Sequence, residues 1–284
     1  MNHLRIGTRI LLALALPVLG LLAVAGYVVL EKQRLLVEAQ ALRQLVSFAG
    51  EVGTLVHQLQ LERGQSTVFV SAPDLPADDI HAQWRASDDS RQRFRALGQA
   101  FLRRQLDPSL GRHLGIALSD LKGIDALRQR IGDRLLSPLA TVQTYTLTIN
   151  RLLDLAGQLP ALSSDGRISG LAAAYVSLLQ GKERAGRERA IGAGLFGTRD
   201  RDAEAYRLFV ALGAQQHAFF TDFRGFATSE LVAMLDEGLE SGQDEFHRMR
   251  ATVLDSVVTG HFGTVTAAEW FAVATRRIDR LRDV

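Results

Sequence analysis

From residue 33 to the end of the chain, apolar positions recur at intervals of three and four, the spacing of one face of an α-helix. The pattern predicts helices over 33–70, 79–105, 109–135, 138–158, 167–196, 201–226, 229–258 and 267–283. The breaks fall at Ser71 to Pro76, Asp107-Pro108, Ser137-Pro138, Pro160 to Asp165, Gly197 to Asp200 and Gly260 to Thr266. Proline and clustered polar residues end helices there. Ser137 precedes a proline at a first helical position, and Thr266 with Glu269 reads as a capping box. Sustained alternation of Val, Ile, Thr and aromatic residues is missing, so strands are not expected. Short connections between long helices make neighbours antiparallel. The predicted class is therefore all-α, built of antiparallel up-and-down helical bundles.

One stretch breaks the amphipathic pattern. Ile10 to Leu30 is a run of 21 uncharged, mostly apolar residues, and about 20 such residues match a bilayer core. The reading is a short cytoplasmic N-terminus at 1–9, a transmembrane helix at 10–30 and a helical sensory domain at 31–284. It places the chain in a bacterial inner membrane with that domain in the periplasm. A cleaved secretory signal is the alternative, with Arg5 and Arg9 as its basic region and Ala23-Val24-Ala25 as a cleavage site. The run is longer than such signals usually are, and it continues past Ala25. Lys32 and Arg34 follow the run as closely as Arg5 and Arg9 precede it, so flanking charge does not fix the orientation.

Composition narrows the functional classes. Lysine occurs only at Lys32, Lys122 and Lys182, so 30 of the 33 basic residues are arginine and a surface arginine carries little information. The net charge is +2 with the signs interspersed, which leaves no basic stripe for nucleic acid. No phosphate-cradling glycine loop, zinc-protease helix motif, nucleophile elbow or cysteine nucleophile is present. His57 and His217 read as polar residues on helix flanks. No catalytic residue set can be named, and no cofactor or metal is implied.

Charge on the apolar seams is the informative departure. In the first long helix the seam runs Leu45, Phe48, Val52, Val56, Leu59, Ser66, Val70, and Arg63 falls on it. In the helix from 167 it runs Leu171, Tyr175, Leu178, Lys182, Ala185, Arg189, Ala193, Phe196. In the helix from 229, Leu235, Leu239, Phe246, Val253 and Val257 set the face and Arg250 lies on it, whereas Arg248 points elsewhere. A buried guanidinium needs a carboxylate or a bound anion. Glu183 with Arg187, and Arg184 with Glu188, form i,i+4 pairs expected on the outer face. The seam arginines are then left without helix-local partners, and both a salt-bridged core and a bound oxyanion remain open.

The segment Leu55-Val56-His57-Gln58-Leu59-Gln60-Leu61-Glu62-Arg63-Gly64-Gln65-Ser66 resembles the Gln-x-Glu-Arg-Gly-x-Ser motif that opens the nitrate- and nitrite-sensing (NIT) domain family. Tyr175 to Ala190, with Lys182-Glu183-Arg184-Ala185-Gly186-Arg187-Glu188-Arg189-Ala190, is similar to that family's second signature. Phe209 to Phe223 and Glu269 to Ile278 add to the likeness, which spans about 45–282. The resemblance implies paired four-helix bundles binding nitrate or nitrite between helices, in bacterial chemoreceptors, sensor kinases, cyclase-type proteins and antitermination regulators. Carried onto this chain, the ligand arginines fall on Arg63 and Arg250, with Arg189, Lys182 and Ser66 as further candidates and Arg248 as the alternative to Arg250.

The expected function is an extracytoplasmic sensory domain of a membrane-anchored receptor, binding nitrate or nitrite through inward-facing arginines. The expected partners are the anion, the membrane through a single N-terminal anchor, and a second copy in a homodimer. Nucleic acid is not expected. The alternative is a helical dimerisation or protein-interaction module whose core arginines are structural. The chain stops at Leu281 to Val284 inside a helical pattern, which is read either as the sensory portion of something longer or as a polypeptide without an output of its own.

Overall fold

The computed structural model describes residues 6–72, 76, 78–104, 108–163, 165–199 and 202–284, apart from the side chains at 6–13, 16, 34–42, 44, 45, 79 and 104. Among them the chain is all-α, with helices at Ile6–Ser71 (α1), Asp78–Arg104 (α2), Pro108–Asp120 (α3), Ile124–Gly132 (α4), Pro138–Ala156 (α5), Gly166–Thr198 (α6), Ala203–Phe226 (α7), Ser229–Glu240 (α8), Gln243–Thr259 (α9) and Ala267–Asp283 (α10). Short 3₁₀ turns at Leu121–Gly123 and Leu159–Leu162 complete it. The chain divides into two compact units, Met1–Ser47 and Phe48–Val284.

Helix starts follow local chemistry. Ser137 accepts from the amide of Ala140 with Pro138 in the first turn, and Thr266 and Glu269 close the predicted capping box. Asp165 and Asp202 cap α6 and α7 in the same way. Each side-chain oxygen satisfies an amide that lacks an intrahelical acceptor. Two predicted helices are divided. The 109–135 segment turns at Leu121–Gly123, where Leu121 is buried. The 229–258 segment turns at Ser241-Gly242, because Gly242 adopts φ +71°, a left-handed conformation open to glycine.

The predicted transmembrane helix at 10–30 is not upheld: among the described residues no helix is long and apolar enough to cross a membrane. The backbone there is helical, but it opens a 66-residue helix that contains Pro17. The side chains at 10–13 and 16, part of the predicted run, lie outside the described residues.

In the second unit the helices pack as a bundle in which α6 lies along α5, α7 and α10. One core surrounds Trp270, whose ring meets Phe196, Phe209 and Phe246 at centroid distances of 5.3–5.9 Å. Burying such rings dominates core energetics. The Trp270 indole donates to the Arg189 carbonyl at 2.8 Å, tying α10 to α6. A second core joins Leu178, Phe220, Phe223, Leu235 and Leu281. The α1 seam predicted from Phe48 to Leu59 is buried as expected.

Candidate functional site

Three helices, α1, α5 and α6, meet at Arg63. Its α1 seam position sends the guanidinium inward, where it has no exposure. Nη1 donates to Glu183 Oε1 at 2.6 Å and to Thr146 Oγ1 at 2.9 Å, and Nη2 donates to Glu183 Oε2 at 3.1 Å. The Gln60 amide adds a 2.9 Å bond to the same carboxylate. A two-armed pair of this kind is the geometry guanidinium and carboxylate planes favour. Gly186 makes room for it, since a Cβ there would lie 2.9 Å from Arg63 Nη2.

Arg189 sits beside this pair in a different electrostatic state. It is buried on α6, donating from Nη1 to Thr275 Oγ1 at 2.9 Å and from Nη2 to the Gln60 carbonyl at 2.7 Å. Its guanidinium carbon lies 4.6 Å from the Phe271 ring centroid, a ring that packs where any side chain at Gly64 would stand. Nε has no partner, and among the described residues no carboxylate pairs with the group. Its pKa falls from 12.5 to about 9, because burial removes hydration and Arg63 repels it, against weaker help from Asp279 and Glu183. Of these two buried guanidinium groups, only Arg63 holds a carboxylate in a direct pair among the described residues; Asp279 and Glu183 act on Arg189 without bonding to it.

The other predicted residues are dispersed. Arg250, one-fifth exposed, donates from Nε to Glu188 Oε1 at 2.6 Å, and Gln216 holds the second oxygen of that carboxylate at 2.6 Å. Its guanidinium occupies the space left by Gly213. Among the described residues no contact joins Arg250 to Arg63. Arg248 is exposed. Ser66 is buried but faces the hydroxyl of Tyr145 at 3.4 Å. Tyr145 donates to Glu62, which Arg128 grips at 2.8 and 2.9 Å. Lys182, 5% exposed, makes no ion pair among the described residues and opens onto a cavity lined also by His57 and Arg282.

Several expectations change accordingly. Glu183 and Glu188 do not lie on an outer face paired with Arg187 and Arg184; both are buried, and they hold Arg63 and Arg250. Arg184 bonds to Gln180 instead and lies over Phe219. A carboxylate counter-charge therefore describes Arg63 and Arg250, and an unmatched charge describes Arg189. His57 is not on a flank: it is buried and its pKa is lowered to about 3 by burial, with Lys182, Arg282 and Arg189 adding repulsion. Gln60, Thr146 and Thr275 were not anticipated; Gln60 lies one turn before Arg63 in the same motif, which was its available signal. No group of metal-ligating residues occurs among the described residues.

An all-helical bundle with these motifs at its packed centre belongs to the nitrate and nitrite sensing (NIT) family, which matches residues 54–284. Over 256 residues, 90% of its length, the chain is 30% identical to the nitrate regulatory protein of Klebsiella oxytoca and covers 63% of that protein. It also superposes on the solved structure of the NasR transcription antiterminator with a TM-score of 0.76 at 29% identity, covering 84% of this chain and 65% of that one. The chain thus spans somewhat less than two thirds of either relative.

These relatives correct the functional and cellular expectations. Both are named as regulators, one of them of transcription, and no described helix could cross a membrane. The extracytoplasmic, membrane-anchored receptor with a periplasmic domain is therefore withdrawn, and the single anchor with it. The exclusion of nucleic acid is withdrawn too, since it rested on the surface charge of this chain alone and a solved relative is a transcription antiterminator.

Proposed function

We propose that this chain is the sensory part of a nitrate- or nitrite-responsive regulator, and that the anion binds at Arg189 and Arg63 between α1, α6 and α10. The observation that carries the reading is the unmatched pairing there: of two buried guanidinium groups, Arg63 grips Glu183 and Arg189 has no carboxylate bonded to it among the described residues. A monovalent oxyanion gives Arg189 that partner. Its coplanar oxygens suit the unpartnered Nε of Arg189 and the Nε of Arg63, which is also without a partner.

Entry of the anion requires Gln60 and Glu183 to yield, because the side chains already fill the space between α1 and α6. That requirement makes binding a packing event. An anion that binds one arrangement of α1 against α6 better than another shifts the population towards it, and the shift is what a linked regulatory segment would read.

A structural role is favoured for Arg250, whose partner Glu188 is already satisfied. Calorimetric titration of the chain with nitrate, nitrite and chloride tests the function. Heat with either of the first two and little with chloride supports it; a folded sample silent to both oxyanions contradicts it.

A further inference from the structure

A cavity of about 380 Å³ opens between α1, α6 and α10. Thr54 and His57 line it from α1, Lys182 from α6 and Arg282 from α10, with Leu178, Leu179, Leu281 and the Tyr175 ring as apolar wall. It is far larger than a three-oxygen anion needs, since one water occupies about 30 Å³. Its wall is polar on one part and apolar on another, and a concave site with a few convergent polar groups beside an apolar face suits a small molecule that has both characters.

The polar group of interest inside is a lysine without a direct partner. Lys182 is buried and makes no hydrogen bond or ion pair among the described residues. Arg282 stands exposed at the mouth with Asp283 beside it, and Asp279 and Asp283 act on Lys182 from the same helix without pairing with it. Neutrality of His57 is enforced by burial and by the two cations, and its Nδ1 lies in the interior with no partner. Lys182 itself is pushed down to about 8 by burial and by Arg282, against weaker help from Asp279 and Asp283. A buried ammonium facing open space costs stability unless something negative joins it.

We propose that this cavity is a second ligand site, separate from the nitrate site, which takes a small organic carboxylate with a short apolar tail. The carboxylate meets Lys182, with Arg282 closing over it, and the tail lies against Leu178, Leu179 and Leu281. An inorganic oxyanion would satisfy the charge and leave the apolar wall unfilled.

Titration of the chain with pentanoate, acetate and nitrate tests the proposal. Pentanoate should bind at least tenfold more tightly than acetate, because its extra methylenes leave water for the apolar wall. Lys182→Met should abolish the pentanoate heat while leaving nitrate unaffected. Gly50→Phe, at a lining position where nothing lies within 4 Å of an added Cβ, should weaken pentanoate by filling the cavity, and it decides the matter should the lysine variant not fold. Arg189→Met should do the reverse, losing nitrate and keeping pentanoate, so the two sites fail separately. Absence of pentanoate binding to the folded parent, equal affinity for acetate and pentanoate, or binding unchanged in Gly50→Phe would overturn the proposal.

Discussion

Arg63 and Glu183 form a two-armed ion pair at 2.6 and 3.1 Å with neither side chain reaching solvent. The pair fastens α1 to α6 and leaves Arg189, joined to the same system through the backbone of Gln60, as the cation without a match. Its energetics follow from burial. Removing one partner strands the other in a low-dielectric interior, whereas the intact pair by itself contributes little net stability.

Substituting Glu183→Gln should therefore lower the unfolding free energy by about 3–5 kcal/mol, the usual cost of leaving a buried charge uncompensated. The same variant should gain more stability from nitrate than the parent does, because two guanidinium groups then lack a counter-charge. Urea unfolding with and without nitrate measures both effects.

Arg250 and Arg248 separate cleanly. Arg250→Ala leaves Glu188 with Gln216 alone, and should cost on the order of 1–3 kcal/mol, less than at a fully buried pair because Arg250 is partly solvated. Arg248 is exposed, so Arg248→Ala should stay within about 0.5 kcal/mol of the parent. Denaturant midpoints of the two variants check the contrast, and nitrate should stabilise both as it does the parent.

His57 supplies a pH prediction. Its pKa in the folded chain, about 3, lies below the ordinary 6.5. Between those values the unfolded chain binds a proton that the folded chain refuses, so stability falls as pH drops below 6.5. From pH 6.5 to 5 the loss from this residue is about 1.6 kcal/mol, short of the full value of about 1.4 kcal/mol for each step of one in pH because the unfolded imidazole is only half protonated at 6.5. His57→Gln should flatten that part of the stability curve, as followed by thermal unfolding across the same range.

Much of this architecture is legible in the sequence, for reasons visible in particular residues. The α1 seam through Phe48, Val52 and Leu59, the caps at Ser137 and Thr266 and the breaks at proline all depend on neighbours within a few positions. The inward turn of Arg63 and Arg189 is also a local fact of helical periodicity. Their partners are not local. Glu183 is 120 residues from Arg63, and Glu188 is 62 from Arg250. On their own helix both glutamates have arginines at i,i+4, which is why a solvated outer pairing looks sufficient in one dimension. The turn at Gly242 was hidden for the related reason that the apolar period resumes in phase on either side of it.

If the buried, unmatched guanidinium of Arg189 receives the sensed oxyanion, removing that one charge must remove the response. Nitrate titration of the parent chain and of Arg189→Met isolates the effect, since the substitution keeps the volume of the arginine stem and deletes its charge. Saturable nitrate binding to the parent is expected, with at least a tenfold loss in the variant and the variant folded and no less stable in nitrate-free buffer. Equal nitrate affinity in the two proteins would contradict this assignment.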